Sequence, residues 1–208
     1  KVLPGVETSA TLLIEGLSVP GAVKAMSRAL GSPFEVSGAA HVPVGPKGVP
    51  VTMLRLEGFA NSVAYRADRL AAELAEFGDS HIDADHEDVS AGWAWVRDAA
   101  RFEGTEGDVW PISVRPPDAP QVVANLGTDE VLLDWGGGLI WAELPSGTDA
   151  RALMGAISGH ATLVRGSQAA QAAFLPVFHP EPAPLAAISQ GLRARFDPRG
   201  ILNPGLMS

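Results

Sequence analysis

The chain has 208 residues, 46% of them hydrophobic and 19% charged, enough to bury a substantial core as one large domain or two small ones. Fifteen basic residues against twenty-four acidic ones give a formal net charge of −9, which argues against a nucleic-acid backbone as partner. There is no cysteine, so disulfides, thiolate metal sites, iron–sulfur ligation by this chain and cysteine nucleophiles are all excluded.

The chain opens on Lys1 with almost no lead-in, which reads as a fragment or processed product. No signal-like amino end or membrane-length apolar run is present, so the sequence predicts a cytoplasmic protein without a membrane span. A β-favouring run from Thr11 to Ile14 precedes a helix, in which Val23, Met26 and Leu30 share a face and Gly31 marks the stop. "PFEVSGAAHV" and "VTMLRLEGF" read as two strands around a turn-rich loop. Asn61 reads as the cap of an amphipathic helix with Val63, Leu70, Leu74 and Phe77 on one side and Gly78 at its end. A short strand at Ser80–Asp83 completes a β-α-β-β-α-β unit.

An acidic connector follows, helical over about Glu87–Ala100, with Trp93 and Val96 turned to the core. The unit then repeats: "VWPISVRP" as strand, "DAPQVVANLG" as a helix with Pro120 in its first turn, "EVLLDW" and "GLIWAEL" as a hairpin about Gly136-Gly137, "TDARALMGAISG" as helix and "HATLVRG" as closing strand. The expected fold is α+β: duplicated ferredoxin-like units, about residues 8–84 and 108–166, forming a mostly antiparallel sheet with helices on one face. Residues 167–208 supply a short helix, a Pro-rich loop, a terminal helix ending near Asp197, and a docked tail in which Ile201 and Leu202 pack back.

Candidate chemistry is sparse. "HIDADHED" packs His81, Asp83, Asp85, His86, Glu87 and Asp88 into eight residues that could hold a divalent ion, but the spacing matches neither the calcium loop nor His-Glu-x-x-His, and an acidic loop capping the next helix is the plainer reading. "DWGGGLIW" lacks a phosphate-loop pattern and reads as a turn. His41 and His160 stand at predicted strand ends, where a histidine is either structural or poised at a site. Arg55 and Arg165 lie in strand-like runs, either facing solvent or forming a fork for a small carboxylate.

The tail "FDPRGILNPGLM" after an amphipathic helix resembles the carboxyl terminus of FAD-linked oxidases of the vanillyl-alcohol oxidase type. With "EVSGAAHVP", "LRLEGFANSVAYRADRL", "DWGGGLIW" and "GHATLVRG", in that order, the whole chain resembles the carboxyl-terminal half of the family of FAD-binding subunits of bacterial glycolate oxidase. The resemblance implies a cap, or substrate, domain of a flavin-dependent 2-hydroxy acid oxidoreductase, inactive alone and lying over FAD supplied by its own amino-terminal FAD domain. It also implies a catalytic flavoprotein subunit and an iron–sulfur subunit as partners, with peripheral association at the inner membrane through them. By motif, Asn203 is the residue implied near the flavin ring, and His160, Arg165, His41 and Arg55 are candidates to line flavin or substrate. No catalytic residue and no metal ligand is implied. Leu139 and Ile140 stand where more polar residues are expected. A non-catalytic assembly subunit and a stand-alone ferredoxin-like binding module are the alternatives.

Overall fold

A computed structural model of the chain describes residues 6–45, 48–172 and 175–203. The start Lys1–Gly5 and the Pro204-Gly205 part of the terminal turn lie outside the described residues. Eight strands form one sheet: β1 Thr8–Glu15, β2 Gly38–Val42, β3 Val51–Gly58, β4 Ser80–Asp83, β5 Asp108–Val114, β6 Val131–Asp134, β7 Leu139–Leu144 and β8 Gly159–Ala161. The helices are α1 Val19–Leu30, α2 Ala60–Glu73, α3 His86–Arg97, α4 Ala119–Leu126, α5 Ala150–Met154, α6 Gln168–Ala172 and α7 Ala183–Phe196. The fold is α+β, with the sheet order β4-β1-β3-β2-β6-β7-β5-β8 and every strand pairing antiparallel.

That order is symmetric about its middle: 4-1-3-2 from one edge matches 8-5-7-6 from the other. The two four-strand groups meet where β2 pairs β6, and the meeting is narrow, registered at His41 opposite Leu133.

Strand alternation sorts side chains to two faces. Leu12, Ile14, Leu54, Leu56, Trp110, Ile112, Leu133 and Ile140 bury one face in the main core with the apolar sides of α1, α2, α4 and α5. Each helix has a local cause. Ser18 caps α1, its Oγ accepting from the Gly21 amide, and Pro20 sits in the first turn. Pro120 opens α4, and Gly127 closes it at φ +66°, a conformation that costs glycine nothing. Gly155 ends α5 at Met154, so this helix is shorter than its sequence suggests.

Four expectations change. Asn61 does not cap α2; the helix begins at Ala60 with Phe59 at the cap, and no side chain satisfies its first amides. The last strand stops at Ala161, because the Leu163 amide bonds to the Val177 carbonyl of a later loop instead of continuing the ladder, and Arg165 rejoins β5 only through a bridge to Val109. The helices of the two four-strand groups do share one face, but the connector helix α3 lies on the other, packing Val89, Trp93 and Val96 onto Ala40, Val42, Val109 and Leu132. The described part of the tail is not docked: Ile201 and Leu202 are 60% and 59% exposed.

No described helix is long and apolar enough to cross a membrane.

Candidate functional site

The face of the sheet away from the main core presents Thr11 and Leu13 of β1, Met53, Arg55 and Glu57 of β3, Asp134 of β6, and Leu139 and Trp141 of β7. Helix α3 covers the β1–β3 part of it. Asp85 sets the start of that helix, its Oδ1 accepting from the amides of Glu87 (2.9 Å) and Asp88 (3.1 Å), so the acidic run serves as a helix cap. Trp93 then packs onto the sheet, with Nε1 donating to Thr11 Oγ1 at 2.9 Å. Only glycine fits beneath it, since a Cβ at Gly38 would stand 2.9 Å from Trp93 Cζ3. The Arg55 guanidinium covers the indole at 4.9 Å from its centroid, a cation–π contact.

The β7 side of the same face has no such cover. Between it and α3 runs a groove of about 700 Å³, lined by Arg55, Trp93, Asp134, Trp135, Leu139 and Trp141 among others. A smaller hollow of about 400 Å³ lies beyond Trp141, bounded by Phe102, Val109, Val164 and Arg165. Trp141 lines both. At the mouth of the groove Trp135 is 66% exposed and holds φ +53°, left-handed backbone that costs a tryptophan of order 1 kcal/mol. The turn can form because Gly136 and Gly137 follow at φ +66° and +100°, and Gly136 also makes room for Leu30.

Neither arginine fork is open. Arg55 donates through Nε to Ser37 Oγ (3.2 Å) and through Nη2 to the Ser37 carbonyl (3.3 Å), and its Nε stands 3.2 Å from Glu57 Oε2. Arg165 donates to the Phe102 carbonyl and to Thr105 Oγ1, which fastens the loop after α3 to the end of β5. Asp134 is the titratable group that the groove perturbs. Burial raises its carboxyl above the ordinary range, opposed by the hydrogen bond from the Trp135 amide (2.7 Å) and by the charge of Arg55.

The predicted residues therefore separate. Arg55 lines the groove and Arg165 the smaller hollow. His160 stands on the same face, in register with Ser113 at the edge strand, exposed and outside both hollows. His41 points the other way: it is 1% exposed, its Nδ1 lies 3.0 Å from Thr52 Oγ1, and burial lowers its pKa to about 4. It lines neither hollow, because in β2 it alternates with Ala40 and Val42 and so falls on the core side. Asn203 is exposed at φ +47° beyond α7. The sequence reading missed Asp134, Trp135 and Trp141; alternation along "EVLLD" and "LIWAEL" was the signal for Asp134 and Trp141, whereas Trp135 lies in the turn between the strands.

No family model matches the chain. It is similar to the glycolate oxidase subunit GlcE of Escherichia coli (strain K12), with 28% identity over 209 residues that cover 100% of this chain and 51% of that protein. The chain thus spans about half the length of the curated relative it matches.

Proposed function

We propose that the chain is the cap half of a subunit of a flavin-linked 2-hydroxy acid oxidoreductase of the glycolate oxidase kind, with its uncovered sheet face laid over the flavin. The observation that carries this reading is the asymmetry of that face. Helix α3 closes one part through Trp93, while Leu139, Trp141 and the exposed Trp135 are left half-covered beside a groove of about 700 Å³. Flat apolar and indole surface of this kind fits one side of a planar ring.

The described residues fit a cover better than a holder. They contain no glycine-rich phosphate cradle opening a helix, so the dinucleotide part of FAD falls to a separate module, either the rest of the same protein or a partner. When bound, the flavin accepts the hydride from the substrate carbon. The chain's own contribution is to exclude water over the ring and to bound the space in which a small acid lies. Asn203, at its left-handed corner, has an amide that can both donate and accept, which suits the polar edge of the ring.

A second reading has its own observation. Arg55 is already held by Ser37 and Glu57, and Arg165 by Phe102 and Thr105, so neither is free to clamp a substrate carboxylate. That favours a subunit that serves assembly with a catalytic flavoprotein and an iron–sulfur partner, peripheral to the inner membrane, over one that binds the acid itself. The experiment is anaerobic addition of glycolate or D-lactate to the chain assembled with an FAD-loaded module. Bleaching of the flavin supports the oxidoreductase, a bound flavin that stays oxidised supports the assembly role, and failure to retain flavin removes both.

A further inference from the structure

The groove beside α3 carries an unbalanced charge. Its ionisable walls are Arg55, Glu57, His86, Arg97 and Asp134. Both cations are already paired. Arg55 Nε stands 3.2 Å from Glu57 Oε2, and Arg97 grips Asp98 at two points, Nε to Oδ1 at 2.7 Å and Nη2 to Oδ2 at 2.8 Å. Asp134 makes no ion pair among the described residues. Its Oδ1 accepts from the Trp135 amide, and Arg55 reaches it through charge alone, because that guanidinium is bound to Ser37. Burial raises the Asp134 carboxyl above the ordinary range, so its negative charge is under-compensated in the free chain.

Two indoles beside it are unbalanced in the same sense. The face of an indole attracts a cation, and two of the chain's five tryptophans receive one from an arginine: Arg55 lies 4.9 Å from the centroid of Trp93, and Arg151 lies 4.8 Å from that of Trp110. Trp135 and Trp141 receive none among the described residues. Strand geometry brings both to Asp134. Trp135 follows it in the chain, and Asp134 pairs with Leu139 across the β6–β7 ladder, so Trp141, two residues on, is its diagonal neighbour on the same face. Trp141 is half-buried, while Trp135 is 66% exposed and held at φ +53°. Backbone held in that way gains nothing for the free chain, and such positions cluster at binding sites.

We propose that this groove binds a small organic ammonium ion, its positive charge against Asp134 and its alkyl surface against Trp135 and Trp141. Charge selects the class. An anion meets the carboxylate and the negative faces of the indoles, with both guanidinium groups already engaged. A neutral apolar molecule further desolvates Asp134 and gives it no partner. A bare metal ion needs several oxygen or nitrogen ligands, and no group of three candidate ligands exists among the described residues. A groove of about 700 Å³ has the size of a small-molecule site. The inference goes beyond the cap reading and does not rest on it, since the groove and its charges belong to this chain alone. Under that reading the carboxylate of a hydroxy acid lies away from Asp134.

The test uses the 208-residue chain and two probes of one shape: choline, and dimethylbutanol, in which carbon replaces the quaternary nitrogen. The indole Nε1–H resonances are assigned by single Trp→Phe substitutions and followed by NMR during titration. Millimolar choline is expected to move the resonances of Trp135 and Trp141 and to leave that of the fully buried Trp110 in place. Dimethylbutanol is expected to bind at least about tenfold more weakly. Asp134→Asn keeps an oxygen for the Trp135 amide, so it should leave the unfolding midpoint unchanged and weaken choline about tenfold. Trp135→Leu, at an exposed position, should weaken it about threefold by a route that does not touch the carboxylate. Resonances that stay still in choline, equal binding of the two probes, or an Asp134→Asn chain that binds choline as tightly as the wild type each overturn the proposal. Glycolate moving the same two resonances at lower concentration than choline overturns it in favour of an acid site.

Discussion

Acid should unfold this protein through His41. The imidazole lies 1% exposed at the seam between β2 and β6, Nε2 meets no hydrogen-bond partner among the described residues, and burial holds its pKa near 4 against 6.5 for an ordinary histidine. The folded state thus binds this proton less readily than the unfolded state. The stabilisation that the neutral ring provides is complete above about pH 6.5 and is lost as the pH falls toward 4. With those two values, linkage removes about 2 kcal/mol by pH 5 and about 3 kcal/mol by pH 4. Losses of that size are a large fraction of a typical domain's 5–15 kcal/mol, roughly. The assay is urea unfolding at pH 7, 6, 5 and 4.5, comparing the wild type with His41→Gln, which keeps a polar side chain but cannot titrate. The variant should be less stable at pH 7 and should lose less with acid, so that the two curves converge. Carboxylates contribute equally to both and cancel in the difference. Parallel curves between pH 6.5 and 4.5 would show that the ring is hydrated in the folded state and would refute the reasoning.

Two other substitutions test the packing. Gly38→Ala brings a Cβ within 2.9 Å of the Trp93 ring, so the indole must lift from the sheet and strain its bond to Thr11; we expect a loss of about 1–3 kcal/mol in urea unfolding and a red-shifted tryptophan emission. Asp108, fully buried, accepts from the amides of Gly147 (2.7 Å) and Ser167 (2.6 Å), and Asp108→Ala orphans both donors; about 3 kcal/mol should be lost, with hydrogen exchange rising at those two amides before it rises in β5.

The order of elements was legible because each strand and helix states its own period. Val23 and Met26 in α1, Val63 and Leu70 in α2, and Leu74 at its C-cap fall into the core as their spacing requires. What the sequence hid depended on contacts between distant segments. Asn61 looked like a cap until Phe59 and Ala60 joined the helix ahead of it. The strand from His160 stopped short because Val177, sixteen residues beyond Ala161, took the Leu163 amide. His41 seemed available for chemistry, yet counting alternate residues from Ala40 and Val42 would have sent it to the opposite face. Arg55 had its partner in plain sight, since Glu57 two residues on must share its side of the strand. Trp135 could not be found by pattern at all: a tryptophan with positive φ contradicts local preference, and only the glycines after it hint at the turn. The tail was misread for a related reason, because apolar Ile201 and Leu202 suggested packing while the bonds from Asp197 and Arg193 direct them outward.

The sheet also ends in short strands, four residues in β4 and three in β8, which set how the molecule behaves at high concentration. A long free edge is a template on which a second chain can zip, and this protein already leaves a tryptophan-lined face and an apolar helix uncovered. With so few unpaired backbone groups at either border, an intruding strand finds little ladder to extend. Contacts made by the open face can therefore be side-chain contacts, reversible and shape-selective, without opening a route to fibrous aggregation along the sheet.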